Sequence, residues 1–374
     1  MSTVARMREL LPAMLDDVRA LVTCESPSED PSALARSAAT VARVGRRLLG
    51  AEPERIAPAH LRWRFGQGPA RVLALGHHDT VWPAGSLGTH PCEVHGEVLR
   101  GPGCFDMKAG LVVAMYAIAA LPDRSGVTLL VTGDEEIGSV TSRPLIETEA
   151  AGCAAALVFE AAGPGGALKT QRKGVSGYRV RVTGRAAHAG LEPERGVNAA
   201  VEVAHQVLAV SALADAARGT TVTPTVLSAG TTRNTVPATA ELGVDVRATD
   251  GAEQQRVDRA MRALRPLLPG ARVEVTAEPS RPPLPARSSA GLFARAQELA
   301  TALGLPPLTG TAVGGGSDGN FTAAVGTPTL DGLGAVGGGA HADDEHVLVA
   351  ELPVRAALAA ALITGLLAEK GTPR

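Results

Sequence analysis

The sequence predicts an α/β domain interrupted by an inserted α+β domain. Three observations carry this expectation. Short apolar runs alternate with helical patterns up to about residue 160, and the cluster Gly163-Pro164-Gly165-Gly166 then marks a change of texture. Beyond it the pattern reads strand–helix–strand–strand–helix–strand. Strands alternating with helices favour a parallel sheet, and the second pattern is the split βαβ, ferredoxin-like arrangement. A chain of 374 residues has room for two domains. The α/β domain is placed at residues 1–172 and 283–374, with the insertion at residues 173–282.

The elements follow in order. Amphipathic spacing predicts helices over residues 5–23 and 32–49, the second stopped near Gly50. The run RVLALG at 71–76 is uniformly apolar, as a strand buried on both faces should be. A helix at 108–121, a strand at 127–132, a helix at 142–151 and a strand at 155–159 complete the first stretch. In the insertion, YRVRVT at 178–183 alternates with period two, the mark of a half-exposed strand. A helix at 197–214, strands at 221–228 and 238–247, a helix at 252–268 and a strand at 272–277 follow. Pro282, Pro283 and Pro285 mark the return, after which helices and short apolar runs alternate again. There is no internal repeat.

Composition narrows the function. The chain has 36 Lys+Arg against 38 Asp+Glu, a net charge of −2, so it lacks the cation excess that neutralises nucleic-acid phosphates. Aromatic residues make up 2%, too few for base-stacking platforms. Cys24, Cys92, Cys104 and Cys153 form no C-x-x-C pair, which fits reduced thiols and a cytoplasmic protein. The longest apolar runs, Gly110–Leu121 and Ala356–Ala368, fall short of the roughly 18 residues of a membrane span. The N-terminal segment lacks the apolar core of a signal peptide, and no membrane partner is expected.

Ionisable residues gather where strands end. His77-His78-Asp79 follows the first buried strand, Asp134-Glu135-Glu136 the next, and Glu160 the third. In open parallel sheets functional residues collect beyond the carboxyl ends of strands. Asp79 stands two residues from His77 and is suited to orient a metal-bound imidazole. Taken singly, each group has a plainer explanation: a polar turn, a solvated acidic loop, or, for Asp106 in GPGCFDMKAG, a helix N-cap. His341 lies in the glycine-rich GGGAHADDEH. As a set, two histidines and several carboxylates match the N/O ligand preference of zinc or cobalt.

The motifs GHHDTVWPAGSL, GPGCFDMKAG, TGDEEIGS, VFEAAG, GRAAHAG and GGGSDGN, in this order, resemble metallopeptidase family twenty. The HDTVWPxG and DEEIGS wording is nearest its glutamate carboxypeptidase branch. The resemblance covers nearly the whole chain and implies a metal-dependent exopeptidase-type catalytic domain with an inserted dimerisation or lid domain. It assigns His77 and Glu160 to one metal and Glu136 and His341 to another, with Asp106 shared between them. The ions implied are two Zn2+, or Co2+, per subunit. Glu135 becomes the general base, Asp79 the partner of His77, and the Asp106–Met107 peptide bond cis. One departure stands out: Ala161 occupies a place usually held by proline.

For the insertion, the resemblance sends His188 to the partner subunit's site as an oxyanion donor and gives Asn234 and Arg247 the substrate carboxylate. A guanidinium suits that task because it binds a carboxylate bidentately. Arg281 points to an acidic side chain on the substrate. Gly314–Asn320 lacks the Lys-Ser/Thr ending of a P-loop, and its implied role is to shape the substrate pocket through Ser317. The expected protein is a homodimeric amidohydrolase or carboxypeptidase that acts on a peptide or N-acyl amino acid, with glutamate the first candidate for the released residue. An N-acyl amino acid deacylase is the alternative, and a binding homologue without turnover a third reading.

Overall fold

The computed structural model describes residues 3–369. The chain forms two compact units. One takes the chain up to Gln171, Leu284–Val313 and the residues from Ser317 onward; the other comprises Arg172–Pro283 with Gly314–Gly316.

The first unit opens with helices α1 (Thr3–Glu9), α2 (Leu11–Val22) and α3 (Pro31–Leu49). The helix expected over 5–23 is thus broken at Leu10, because Pro12 has no N–H to donate to the preceding turn. Helix α3 is delimited at both ends. Asp30 caps it by accepting from Ser32 N and Ala33 N, Pro31 starts it, and Gly50 ends it in the left-handed region at φ 69°. Strands β1 (Glu54–Ile56), β2 (His60–Arg64) and β3 (Val72–His77) follow, then the hairpin β4 (Glu93–His95) and β5 (Val98–Arg100). Next come α4 (Ala109–Ala119), β6 (Val127–Thr132), α5 (Arg143–Ala150), β7 (Ala155–Val158) and β8 (Leu168–Arg172).

In the second unit, β9 (Gly174–Thr183), β10 (Ala187–His188), α6 (Ala199–Ser211), β11 (Thr221–Ala229), β12 (Thr235–Val236), β13 (Thr239–Ala248), α7 (Gly251–Arg262) and β14 (Arg272–Ala277) succeed one another. The chain then completes the first unit with α8 (Ala286–Ala302), β15 (Gly310–Val313), α9 (Gly319–Ala324), β16 (Thr329–Leu330), β17 (Gly337–Gly338), β18 (His346–Leu348) and α10 (Leu352–Ala368).

The central sheet of the first unit has the order β1-β2-β6-β3-β7-β16. Strands β6, β3, β7 and β16 are parallel, as the alternating pattern implies, whereas β2 and β1 add antiparallel at one edge. Every residue of β3 and β6 is buried, which explains their continuous apolar lettering. Helix α4 packs on α10, and all of Ala109–Ile118 is buried. The apolar stretch at the C-terminal end is longer than the run Ala356–Ala368 suggests. With the turn before α10 it covers Val349–Ala368, 20 residues, long and apolar enough to cross a bilayer by length and composition. Since 61% of its apolar window is buried, against α4, α1 and α8, it is a core helix here.

The second unit is a four-stranded antiparallel sheet in the order β11-β13-β9-β14, with α6 and α7 packed on it. Inward residues such as Val180, Leu242, Val246, Val203 and Met261 form its own core. Asn198 caps α6 and Asp250 caps α7. Helix α7 ends at Arg262 rather than near 268, because Pro266 cannot donate to the Arg262 carbonyl. Strand β9 begins at Gly174, earlier than its period-two segment.

Candidate metal centre

Parallel pairing brings three strand ends level. His77 is paired with Thr132, and Leu75 with Val158, so β3, β6 and β7 finish together. The residues just past those ends are Asp79, Asp134–Glu136 and Glu160. Asp106 joins them from the turn that leads into α4, across a cis Asp106–Met107 peptide. His341 comes from the loop between β17 and β18, where its φ of 63° places a non-glycine residue in the left-handed region.

The structure brings His77, Asp106, Glu136, Glu160 and His341 into one cluster. His77 Nε2 lies 3.6 Å from Asp106 Oδ1 and 3.4 Å from Glu160 Oε1. His341 Nε2 lies 3.4 Å from Asp106 Oδ2 and 3.3 Å from Glu136 Oε1. Each imidazole therefore faces one oxygen of Asp106 and one glutamate. Glu135 is beside them: among the described residues, His77, Glu135 and Glu160 form one grouping with ligand atoms within 4.8 Å of one another, and His77, Asp106 and Glu136 another.

Two observations test whether a metal fits. Donors about 2.0–2.2 Å from a tetrahedral zinc stand roughly 3.4 Å apart, close to the spacings here and longer than ordinary hydrogen bonds. Glu136 Oε1 is also buried without a hydrogen-bond partner, as a lone pair reserved for a cation would be. The electrostatics agree. Burial draws His77 toward its neutral form, yet Asp106, Asp79 and Glu160 outweigh it and raise its pKa well above the ordinary value. Asp106 and then Glu136 raise His341 to about 10. Burial pushes the Asp106 carboxyl up, but His341 and His77 hold it far below the usual carboxylate range. The pocket has an excess of negative charge, which suits a cation.

Asp79 is fully buried and does more than face His77. Its Oδ1 is 3.3 Å from His77 Nδ1, which lies 3.0 Å from the Asp79 carbonyl oxygen. The carboxylate accepts from Glu135 N at 3.2 Å, Glu136 N at 3.1 Å and Ser28 Oγ at 2.8 Å. It thereby aims the loop carrying both glutamates. Asp134 needs no cation: it accepts from the backbone and hydroxyl groups of Thr141 and Ser142. His78 is held between Ser37 Oγ and the Ala59 carbonyl, and burial lowers its pKa to about 4.

The other predicted residues are placed as follows. Ser317 is fully buried, donates to Asp331 Oδ2 at 2.6 Å and accepts from Gly319 N, so its hydroxyl braces a turn instead of facing a substrate. In the second unit, His188 and Asn234 are neighbours on the two-stranded ribbon of β10 and β12, where Ala189 N donates to the Asn234 carbonyl. His188 is exposed, and its Nδ1 accepts from Gly190 N and Leu191 N, both at 3.1 Å, which leaves the ring proton on Nε2 as an outward donor. Arg247 is engaged bidentately by Asp245 at 2.8 and 2.9 Å. Arg281 is buried, and its backbone bridges to Val175.

Sequence reasoning missed Glu345 and the role of Trp82. Glu345 Oε1 accepts from Phe105 N and Asp106 N, and its Oε2 from Gly103 N and Trp82 Nε1. Its partners are mostly backbone N–H groups, which leave no trace in residue identity. Trp82, His90, Arg100, Asp343 and Glu345 line a cavity of about 230 Å³.

Comparison with known proteins gives a consistent picture. The family model described as peptidase family M20/M25/M40 matches residues 73–365. The chain is 35% identical over 322 residues to carboxypeptidase G2 of Pseudomonas sp. (strain RS-16), covering 82% of this chain and 76% of that protein. It is 30% identical over 316 residues to a succinyl-diaminopimelate desuccinylase of Granulibacter bethesdensis (strain ATCC BAA-1260 / CGDNIH1), covering 76% and 79%. Its fold is similar to the crystal structure of an M20 family metallo-carboxypeptidase from Sulfolobus solfataricus, with a TM-score of 0.74 at 17% identity over 95% of this chain and 98% of that one.

Proposed function

The chain belongs to peptidase family M20/M25/M40 and is a metal-dependent hydrolase of the peptidase and amidohydrolase kind, and from that premise we propose that it cleaves the amide bond to a residue bearing a free carboxylate, with glutamate as the first candidate for that residue. The observation that carries this reading is the pair of imidazoles facing opposite oxygens of Asp106, each with a glutamate beside it. His77 and Glu160 would hold one Zn2+ or Co2+, His341 and Glu136 the other, and Asp106 both. Two such ions supply an acidified, oriented water and polarise the scissile carbonyl.

The protein's own groups then divide the remaining work. Glu135 takes the proton of the attacking water and returns it to the leaving amine. Asp79 keeps His77 and the Glu135–Glu136 loop in register. An Nε2–H donor, His188 of the partner subunit, stabilises the developing oxyanion. Asn234 and Arg247 receive the substrate carboxylate, which takes over from Asp245 at the guanidinium, and Arg281 contributes to selection of an acidic side chain.

The dimer rests on the second unit. Strand β11 is a sheet edge with Val226 and Leu227 exposed, and the adjoining α6 exposes Val201 and Leu208. An unpaired apolar edge of this kind invites a second copy across a two-fold axis. The four cysteines are free, which supports the cytoplasm as the compartment.

Similarity to a desuccinylase favours a second reading, release of a small acyl group from an amino acid. One experiment separates the two. The Zn2+- and Co2+-loaded protein is given a panel of acyl-glutamates, dipeptides and N-acetyl or N-succinyl amino acids. Faster hydrolysis of the glutamate conjugates supports the first reading, and preference for small acyl groups the second. No hydrolysis by protein carrying two ions would overturn both.

A further inference from the structure

We infer that Glu345 is a positioning residue that fixes the Asp106 turn to the loop carrying His341, so that ligands on distant segments are set before any ion arrives. Glu345 is 3% exposed, and both its oxygens are saturated by donors. Oε1 accepts from Phe105 N at 2.9 Å and Asp106 N at 3.0 Å. Oε2 accepts from Gly103 N at 2.9 Å and Trp82 Nε1 at 2.6 Å. Three of the four donors belong to the turn that presents Asp106. The fourth is the indole that walls the neighbouring cavity. Glu345 itself stands four residues past His341, joined to it through a tight turn in which Glu345 N donates to the Ala342 carbonyl.

Only a carboxylate fits this place. Four N–H donors converge on two oxygens, and a carboxylate has no hydrogen of its own to oppose them. Glutamine must direct its NH2 group either at the Phe105–Asp106 pair or at Gly103 and Trp82, leaving two buried donors unpaired. Aspartate keeps the charge but is one methylene too short to span the same donors. Asp106 would contact both ions, so an error in its turn is transmitted to both at once. In its metal arm this inference rests on the two-ion reading; in its backbone arm it does not.

The test uses the full chain with Glu345→Gln and Glu345→Asp, and Asp344→Asn as a control that removes a charge from the same loop. Hydrogen exchange on the metal-free proteins should show the peptide covering Gly103–Asp106 exchanging about ten-fold or more faster in Glu345→Gln, with β3 and β6 unchanged. Zn2+ affinity, by competition with a chromophoric chelator, should fall about 10–100-fold, the usual penalty for losing support behind a ligand. Glu345→Asp should fall between, and Asp344→Asn should match the parent. Unchanged exchange at Gly103–Asp106, or acceleration spread evenly over the whole chain, would overturn the inference. So would parental Zn2+ affinity in folded Glu345→Gln. If the parent itself took up no Zn2+, the two-ion reading would fail while the exchange result still judged Glu345.

Discussion

Glu135 and Glu136 are adjacent in the chain and are proposed to have different tasks, which must then be kept apart by Asp79, the acceptor of both of their backbone N–H groups. Replacing Glu135 by Gln should leave the proposed ion pair bound and lower kcat by about 10²–10⁴-fold; metal analysis and steady-state kinetics on one preparation check this. Asp79→Asn leaves a single oxygen for the donors it now serves. Its metal affinity should weaken about 10–100-fold, and kcat at saturating metal should still be low because the Glu135 loop is loosened. His60 governs a pH effect away from the ions. Its Nδ1 accepts from Gly133 N at 3.2 Å and its Nε2 lies 3.0 Å from Thr141 Oγ1, so the ring is needed neutral. Burial lowers its pKa from the ordinary 6.5. Because the folded pKa lies below the unfolded 6.5, the contribution is complete above the unfolded value and is lost as pH falls from there through the folded pKa. The Tm of metal-free protein should drop between about pH 7 and about pH 5, and His60→Gln should flatten the slope. An unchanged slope in the variant would show that other groups cause it.

Among the elements, α4 reaches the cluster through a close approach that needs glycine. A Cβ on Gly110 would lie 2.0 Å from the Phe159 carbonyl oxygen, and one on Gly334 2.2 Å from the same oxygen. The peptide before Glu160 is thus gripped from two sides by residues without side chains. Gly110→Ala should cost about 1–3 kcal/mol, read as a lower urea midpoint, and should weaken metal binding through the displaced Glu160. Much of this architecture was legible in the lettering. Uniform apolar runs marked β3 and β6, alternation marked β9, and strand-end histidines and carboxylates marked the cluster. What stayed hidden lacked periodicity. β1 and β2 are short edge strands, the β4–β5 hairpin carries mixed residues, and the breaks at Leu10 and Arg262 come from single prolines inside convincing helical patterns. Ser317 reads as a pocket residue only until its bond to Asp331 is seen. Glu345 answers to backbone groups, which no residue pattern records.

At the scale of the whole molecule, the proposed dimer makes the exposed Leu208 and Val226 the residues on which pairing depends. Leu208→Glu or Val226→Lys is expected to give monomers in sedimentation that still bind metal but turn over little, since each site would lack His188 of the partner subunit. A monomeric variant with parental kcat would remove the trans role. The chain path also has a consequence for synthesis. Strand β7 is made before the insertion, yet its neighbour β16 and the proposed ligand His341 are made only after it. On the ribosome, β7 waits with an open apolar edge while the second unit, with a core of its own, is made and collapses. An open edge is a template for unfinished neighbours, so early-terminated chains should aggregate instead of idling as inert fragments. Because β16 and His341 both follow the insertion, the edge of the sheet and the proposed metal cluster are completed only after the second unit has been made.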